Sequence, residues 1–167
     1  SSYTHDYDTI PVNYDLKLKE MLEFFEQNSY LENTMFIVMS DHGSRLTPYS
    51  QETNQGLFER NHPFLSMRLP KDFWNTEYYK NAIENRNKLI SHFDLYKTLR
   101  HYLQISKNPG LLKNLNGAKE TKCREKYFST SNSVIRSYRG QSIFEKIPQN
   151  RSCEEALIPL TYCNCNK

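Results

Sequence analysis

Thr34-Met35-Phe36-Ile37-Val38-Met39-Ser40-Asp41-His42-Gly43 is an apolar run that ends abruptly in an acid, an imidazole and a glycine. No residue from Thr34 to Met39 is charged, and Thr34, Ile37 and Val38 are β-branched, which favours a strand. An uninterrupted run of this kind predicts a strand buried on both faces, as in a parallel sheet. An open α/β sheet leaves its crevice just past the carboxyl ends of such strands, and Asp41 and His42 fall there. A carboxylate oxygen beside an imidazole nitrogen, followed by a glycine that lets the chain turn sharply, suits two ligands of a divalent metal such as zinc. As an isolated triplet, Asp-His-Gly equally fits a turn in which Asp41 accepts backbone N–H bonds and His42 lines the surface.

The 167 residues give room for one domain with a true core. Mean hydropathy is low at -0.80, but 12 Tyr and 9 Phe supply burial area that argues against disorder throughout. A net charge of +3, with Lys and Arg dispersed, argues against a nucleic-acid groove. No apolar run approaches the roughly 20 residues that cross a bilayer, so no membrane span is expected in this segment. Ser1-Ser2-Tyr3-Thr4 has no signal-peptide organisation, and the chain, lacking an initiator Met, reads as an excised segment.

Cys123, Cys153, Cys163 and Cys165 all lie in the last third. A zinc ribbon needs two closely spaced pairs, and Cys163-Asn164-Cys165 alone is close, so disulfides are expected. Cys153 is expected to pair with Cys163 or Cys165, leaving Cys123 the other, because neighbours in Cys-x-Cys seldom bridge. Asn150-Arg151-Ser152 is an N-glycosylation sequon, which with the cysteines points to the secretory lumen or the extracellular side, through an anchor elsewhere if there is one.

Pro11 closes a polar opening that includes His5. Asn13 then fits the cap of a helix with Tyr14, Leu18, Met21, Leu22 and Phe25 on one stripe, covering one face of the sheet. Gly43 to Gln55 reads as a loop whose length suggests function, with Arg45 suited to bidentate binding of a sulfate or phosphate, or else paired with Glu52 or Glu59. His62 precedes a short strand over Phe64 to Leu69, at the opposite rim from Asp41 if the two strands run parallel. Thr76 to Arg86 is helix-competent, and Phe93, Tyr96, Leu99 and Leu103 form a second helical stripe after Ser91-His92. His92 and His101 read as surface or satisfied histidines. The division is 1–106, a half-domain, and 107–167, an irregular tail tied down by cysteines.

Thr4-His5-Asp6, an amphipathic helix and Leu31 through Arg45 together resemble the metal-site half of the alkaline phosphatase and sulfatase superfamily. More narrowly, the chain is similar to an animal family of sulfatase-like domains of unassigned function. The matching stretches are Gly56-Leu57-Phe58-Glu59-Arg60, Pro63-Phe64-Leu65-Ser66 with Leu69-Pro70, and His92 to Leu99. Gly140-Gln141-Ser142-Ile143-Phe144, Ile147-Pro148, Asn150 to Cys153 and Cys163-Asn164-Cys165 extend the likeness nearly end to end.

The resemblance implies an α/β, alkaline-phosphatase-like three-layer sandwich with a mainly parallel sheet, present here as a partial domain followed by the irregular cysteine-containing tail. It implies one or two divalent metals, zinc first, with calcium or manganese as alternatives. Asp41 and His42 match the superfamily's adjacent ligands of one metal, and His5 matches the histidine that helps hold the other. His62, 20 residues past His42, is the candidate for a histidine that phosphoethanolamine transferases place about a dozen residues on. The nucleophile and first acidic ligand lie upstream, so no catalytic nucleophile is expected in this segment; Ser1 stands where many relatives have an Asp. The function implied is metal-dependent hydrolysis or transfer of a sulfate or phosphate ester, with a sulfated or phosphorylated small molecule, glycan or lipid headgroup as partner. The alternative is an extracellular domain that keeps the fold and binds without turnover.

Overall fold

The computed structural model describes residues 9–113 and 140–163. Helix α1 spans Thr9–Gln27 and a single turn, α2, Tyr30–Asn33. Asn13 thus lies inside α1 rather than capping it, and Pro11 sits in the first turn, where its missing N–H is not required. Ser29 takes a left-handed conformation with φ 58° to join the two helices.

Strand β1 is Phe36–Met39 and pairs antiparallel with β2, Leu65–Arg68, in the register Phe36 to Arg68 and Met39 to Leu65. Among the described residues this two-stranded sheet holds no parallel pair. The strand expected to be buried on both faces has Phe36, Ile37 and Val38 half-buried and Met39 exposed, because among the described residues β1 has a neighbouring strand on one edge only. On one face the Phe25 ring of α1 meets Phe36 edge-on at 5.7 Å. Strand alternation turns Met35 and Met67 the other way, where they pack against the core.

That core is Leu69, Phe73, Ile105, Ile143, Phe144 and Ile147. It is built by the turn Lys71–Phe73, helix α5 (Glu77–Asn85), helix α6 (His92–Lys107) and the irregular segment from residue 140. Threonine caps α5, with Thr76 Oγ1 accepting from Tyr79 N–H at 3.3 Å. A buried irregular segment must find partners for its backbone groups, and two amides on α5 provide them. Asn81 Nδ2 donates to Phe144 O at 2.9 Å, while Asn85 Nδ2 donates to Ile143 O and its Oδ1 accepts from Ile147 N–H. Thr98 Oγ1 accepts from Ile143 N–H at 2.9 Å. Asp94 and Arg151 form a buried ion pair at 2.8 Å that holds the same segment to the start of α6.

The expected apolar stripe of α6 therefore faces outward: Phe93, Tyr96, Leu99 and Leu103 are exposed, and Asp94, Leu95, Thr98 and Ile105 are the buried row. Partners 45 and more residues away, which periodicity does not contain, decide which stripe turns inward. A last helical turn, α7, follows at Gly110–Lys113.

His101 on α6 sits edge-on to Tyr78 and Phe144, with Nδ1 3.0 Å from Ser142 Oγ. Burial lowers its pKa below the ordinary 6.5. The unfolded chain thus takes up a proton near pH 6.5 that the folded chain resists. Its contribution is complete above that value and is lost as pH falls toward the lowered folded pKa. Urea midpoints measured from about pH 8 to 5 should fall more steeply for wild type than for His101→Gln. Parallel curves would show that His101 is not linked to stability.

Candidate functional site

The end of β1 is pinned to the start of β2 by a side chain. Ser40 N–H donates to Phe64 O at 3.0 Å, and Ser40 Oγ accepts from Phe64 N–H at 2.8 Å. Ser40 is thus a structural hydroxyl. Gly43 N–H donates to Arg60 O at 3.0 Å, and a Cβ at Gly43 would lie 2.4 Å from Glu59 O and 2.9 Å from the Arg60 Cα. Both are backbone atoms with no flexible end to give way. Gly43→Ala is expected to separate the Asp41-His42 turn from the following helix and to cost about 1–3 kcal/mol by overpacking. A denaturation midpoint unchanged in that variant would show that the contact yields.

Where a loop was expected over Gly43 to Gln55, the chain forms two short helices: α3, Pro48–Glu52, and α4, Asn54–Asn61. Thr47 opens the first with a capping box, and Thr53 Oγ1 accepts from Gly56 N–H at 2.9 Å to open the second. This hairpin sets Arg45 at its entrance and His62 at its exit. Arg45 is exposed and, among the described residues, makes no ion pair with Glu52 or Glu59; Glu59 instead accepts from Tyr49 and Gln55.

At the acid–imidazole pair, Asp41 Oδ1 accepts from His42 N–H at 2.9 Å, and Asp41 Oδ2 lies 3.3 Å from His42 Nε2. His42 Nδ1 is 2.6 Å from Gly43 O, a carbonyl that can only accept, so Nδ1 carries the proton. In the neutral ring Nε2 then carries the lone pair, 3.3 Å from a carboxylate oxygen, so that one proton or cation can be shared between the two atoms. Two bonds of about 2.0–2.2 Å to one cation close a 3.3 Å span between an oxygen and a nitrogen ligand. Asp41 and His42 thus have the chemistry and spacing of two ligands of a divalent metal, fewer than the three protein ligands of a typical zinc site. The Asp41 side chain is open to solvent and that of His42 one-third exposed, so the pair is accessible to a further ligand.

Because β2 runs antiparallel to β1, the residues before β2 lie at the same rim as those after β1. His62 is therefore brought to the Asp41 rim, not to the opposite one. Its ring stacks on Phe58 at 3.9 Å, and its Nδ1 is 2.8 Å from Phe58 O. Asp41, His42, Arg45 and His62 line one cavity of about 740 Å³, within the usual range for small-molecule sites. Arg60 and His92 also line it. Neither carries a local sequence signal: the backbone contact at Gly43 brings up Arg60, and the start of α6 brings up His92.

Among the described residues no group of three or more His, Cys, Asp or Glu could hold a metal. His5, the expected further ligand, lies outside the described residues, as do Cys123 and Cys165. Cys153 is bonded to Cys163, with Cα atoms 5.9 Å apart, which selects between the two pairings expected for Cys153. Asn150 of the sequon is exposed. No helix among the described residues is long and apolar enough to cross a membrane.

These features define a mixed helix-and-strand protein with an acid–imidazole pair at a strand end, open to a cavity of mixed polarity. The chain belongs to a family described as protein of unknown function (DUF229), whose model matches residues 1–167. No match was found among curated proteins or among solved structures.

Proposed function

We propose that this chain carries the metal-holding part of a sulfatase-like hydrolase or transferase of sulfate or phosphate esters. The observation that carries the reading is the Asp41 Oδ2 and His42 Nε2 pair, 3.3 Å apart, with Nδ1 held by Gly43 O. Zinc suits this oxygen and nitrogen donor set best, with manganese or calcium as alternatives. Asp41 and His42 would hold the metal, and His5 would join them from outside the described residues. When bound, the metal supplies charge stabilisation at the ester oxygens and a lowered pKa for a hydroxyl nucleophile.

The chain's own residues do the remaining work. Gly43 O fixes the His42 tautomer, and Gly43 itself lets the turn sit directly on α4. Arg45 and Arg60 give the cavity cationic forks suited to the planar oxygens of a sulfate or phosphate. Supporting the wider reading, β1 has one edge left unpaired among the described residues, on which further strands of a three-layer sandwich with a mainly parallel sheet would add. The Cys153–Cys163 bond and the exposed Asn150 support an extracellular or secretory-lumen setting.

The test is an assay of the full chain with aryl sulfate, aryl phosphate and aryl phosphodiester substrates, with added zinc, manganese or calcium and with chelator. With no catalytic nucleophile expected in this segment, the chain alone should turn over none of these esters, while a protein that also carries the nucleophile should turn over at least one class, abolished by chelator and reduced at least about 10²-fold in Asp41→Asn. Such a protein, metal-loaded, binding these esters and turning over none would favour an extracellular binding domain.

A further inference from the structure

One wall of the cavity is a single helical turn built with unusual care. Ser152 and Glu155 cap its start reciprocally, Ser152 Oγ accepting from Glu155 N–H at 3.1 Å and Glu155 Oε2 from Ser152 N–H at 2.7 Å. At its end Ile158 N–H donates to Cys153 O at 2.8 Å and Leu157 N–H to Glu154 O at 2.9 Å. These are the paired bonds of a Schellman closure, which sets its penultimate residue in the left-handed region and is ordinarily occupied by glycine. Here that residue is Leu157, with φ 58°.

A leucine carries a backbone penalty in this conformation that glycine or asparagine would not. Burial does not account for it, since Leu157 is 44% exposed while Ala156 beside it is fully buried. The exposed part lines the cavity that holds Asp41 and His42, together with Ile158 and Tyr162. The Cys153–Cys163 bond closes this stretch at both ends, so the wall is held in place covalently. Strained residues of this kind concentrate at ligand clamps.

We propose that Leu157, flanked by Ile158 and Tyr162, is the subsite for an apolar organic group, and that the ester is one of a hydrophobic alcohol or phenol rather than of a glycan. The inference rests on the ester reading above and narrows it. The cavity then divides its work: Arg45 and Arg60 meet the anion, and the disulfide-closed wall meets the carbon skeleton.

The experiment measures binding to the full chain by calorimetry, using ethyl, butyl and hexyl sulfates and phosphates, phenyl sulfate, glucose 6-sulfate and inorganic sulfate. Affinity is expected to rise about fourfold per added methylene, with glucose 6-sulfate no tighter than ethyl sulfate. Leu157→Gly should weaken hexyl sulfate about tenfold and ethyl sulfate less than threefold, while raising the thermal midpoint by relieving the backbone. Those opposite directions separate a ligand-facing leucine from a structural one. A flat alkyl series, a tighter glucose 6-sulfate, or no loss of the hexyl advantage in Leu157→Gly would overturn the proposal. If the series is flat while inorganic sulfate still binds in an Asp41- and metal-dependent way, the subsite fails and the ester reading stands. If the series climbs and depends on Leu157 but not on Asp41 or metal, the subsite stands and the metal-ester reading fails.

Discussion

Replacing Asp41 and His42 together by alanine is expected to abolish the divalent-metal binding proposed for this chain. Metal-ligating histidines almost always donate their second ring nitrogen to a carbonyl or carboxylate, and losing even that outer partner costs about 10–100-fold in affinity. Removing both ligands should exceed that range. The geometry makes the single variants informative as well. In Asp41→Ala, His42 keeps its Nδ1 tie to Gly43 O and stays oriented, so metal should be weakened but detectable. In His42→Ala, Asp41 loses the nitrogen 3.3 Å away that completes its bite.

Elemental analysis after gel filtration reads the result directly, and unchanged metal content in the double variant would sink the assignment. A structure containing His5 supplies a second check. An imidazole more than roughly 8 Å from the Asp41 carboxylate cannot share its metal or a neighbouring one about 4 Å away.

The strand end that carries this pair was legible in the residues. An apolar run that stops at an acid predicts a strand end, and β1 does end at Met39, two residues before Asp41. The helix over Thr76 to Arg86 and the pairing of Cys153 within the tail were equally readable, since helical propensity and cysteine spacing are short-range signals. Strand sense was not. Whether β2 runs with or against β1 depends on the path of 44–62, and Thr47-Pro48 and Thr53 are helix starts that a loop reading overlooks. Reversing that sense moves His62 from one rim to the other and brings Arg60 into the cavity. Leu157 was invisible for a different reason. Nothing in Ala156-Leu157-Ile158 announces a left-handed residue, because the pattern calls for a glycine that is not there.

The second large effect is expected where sequence periodicity misreads α6. Asp94 is fully buried and its carboxylate accepts from Arg151 twice, at 2.8 and 3.0 Å, as well as from Ser91 N–H, Ser91 Oγ and Gln141 N–H. Breaking a buried pair by removing one partner costs about 3–5 kcal/mol, because an uncompensated charge is left in the interior. Against a total stability of about 5–15 kcal/mol, that approaches unfolding.

The two halves of the pair are not equivalent. After Arg151→Ala the carboxylate still has three donors, the nearest at 2.6 Å from Gln141 N–H. After Asp94→Ala the guanidinium keeps, among the described residues, the Leu89 and Glu155 carbonyls, at 3.3 and 3.4 Å. The same change removes the carboxylate that accepts from Ser91 N–H at the helix cap and from Gln141 N–H, beside Gly140, whose φ of +83° admits no side chain against Phe93 O. Asp94→Ala should therefore be the more destabilising, and the Asp94→Leu, Arg151→Met double variant should cost less than the sum of its parts. Urea denaturation followed by Trp74 fluorescence measures all of these. Arg151→Ala costing more than Asp94→Ala, or either costing under about 1 kcal/mol, would show that the pair does not govern how the 140–163 segment docks. The cavity depends on this docking, because Arg151 lies two residues before the disulfide that holds Leu157 in its wall.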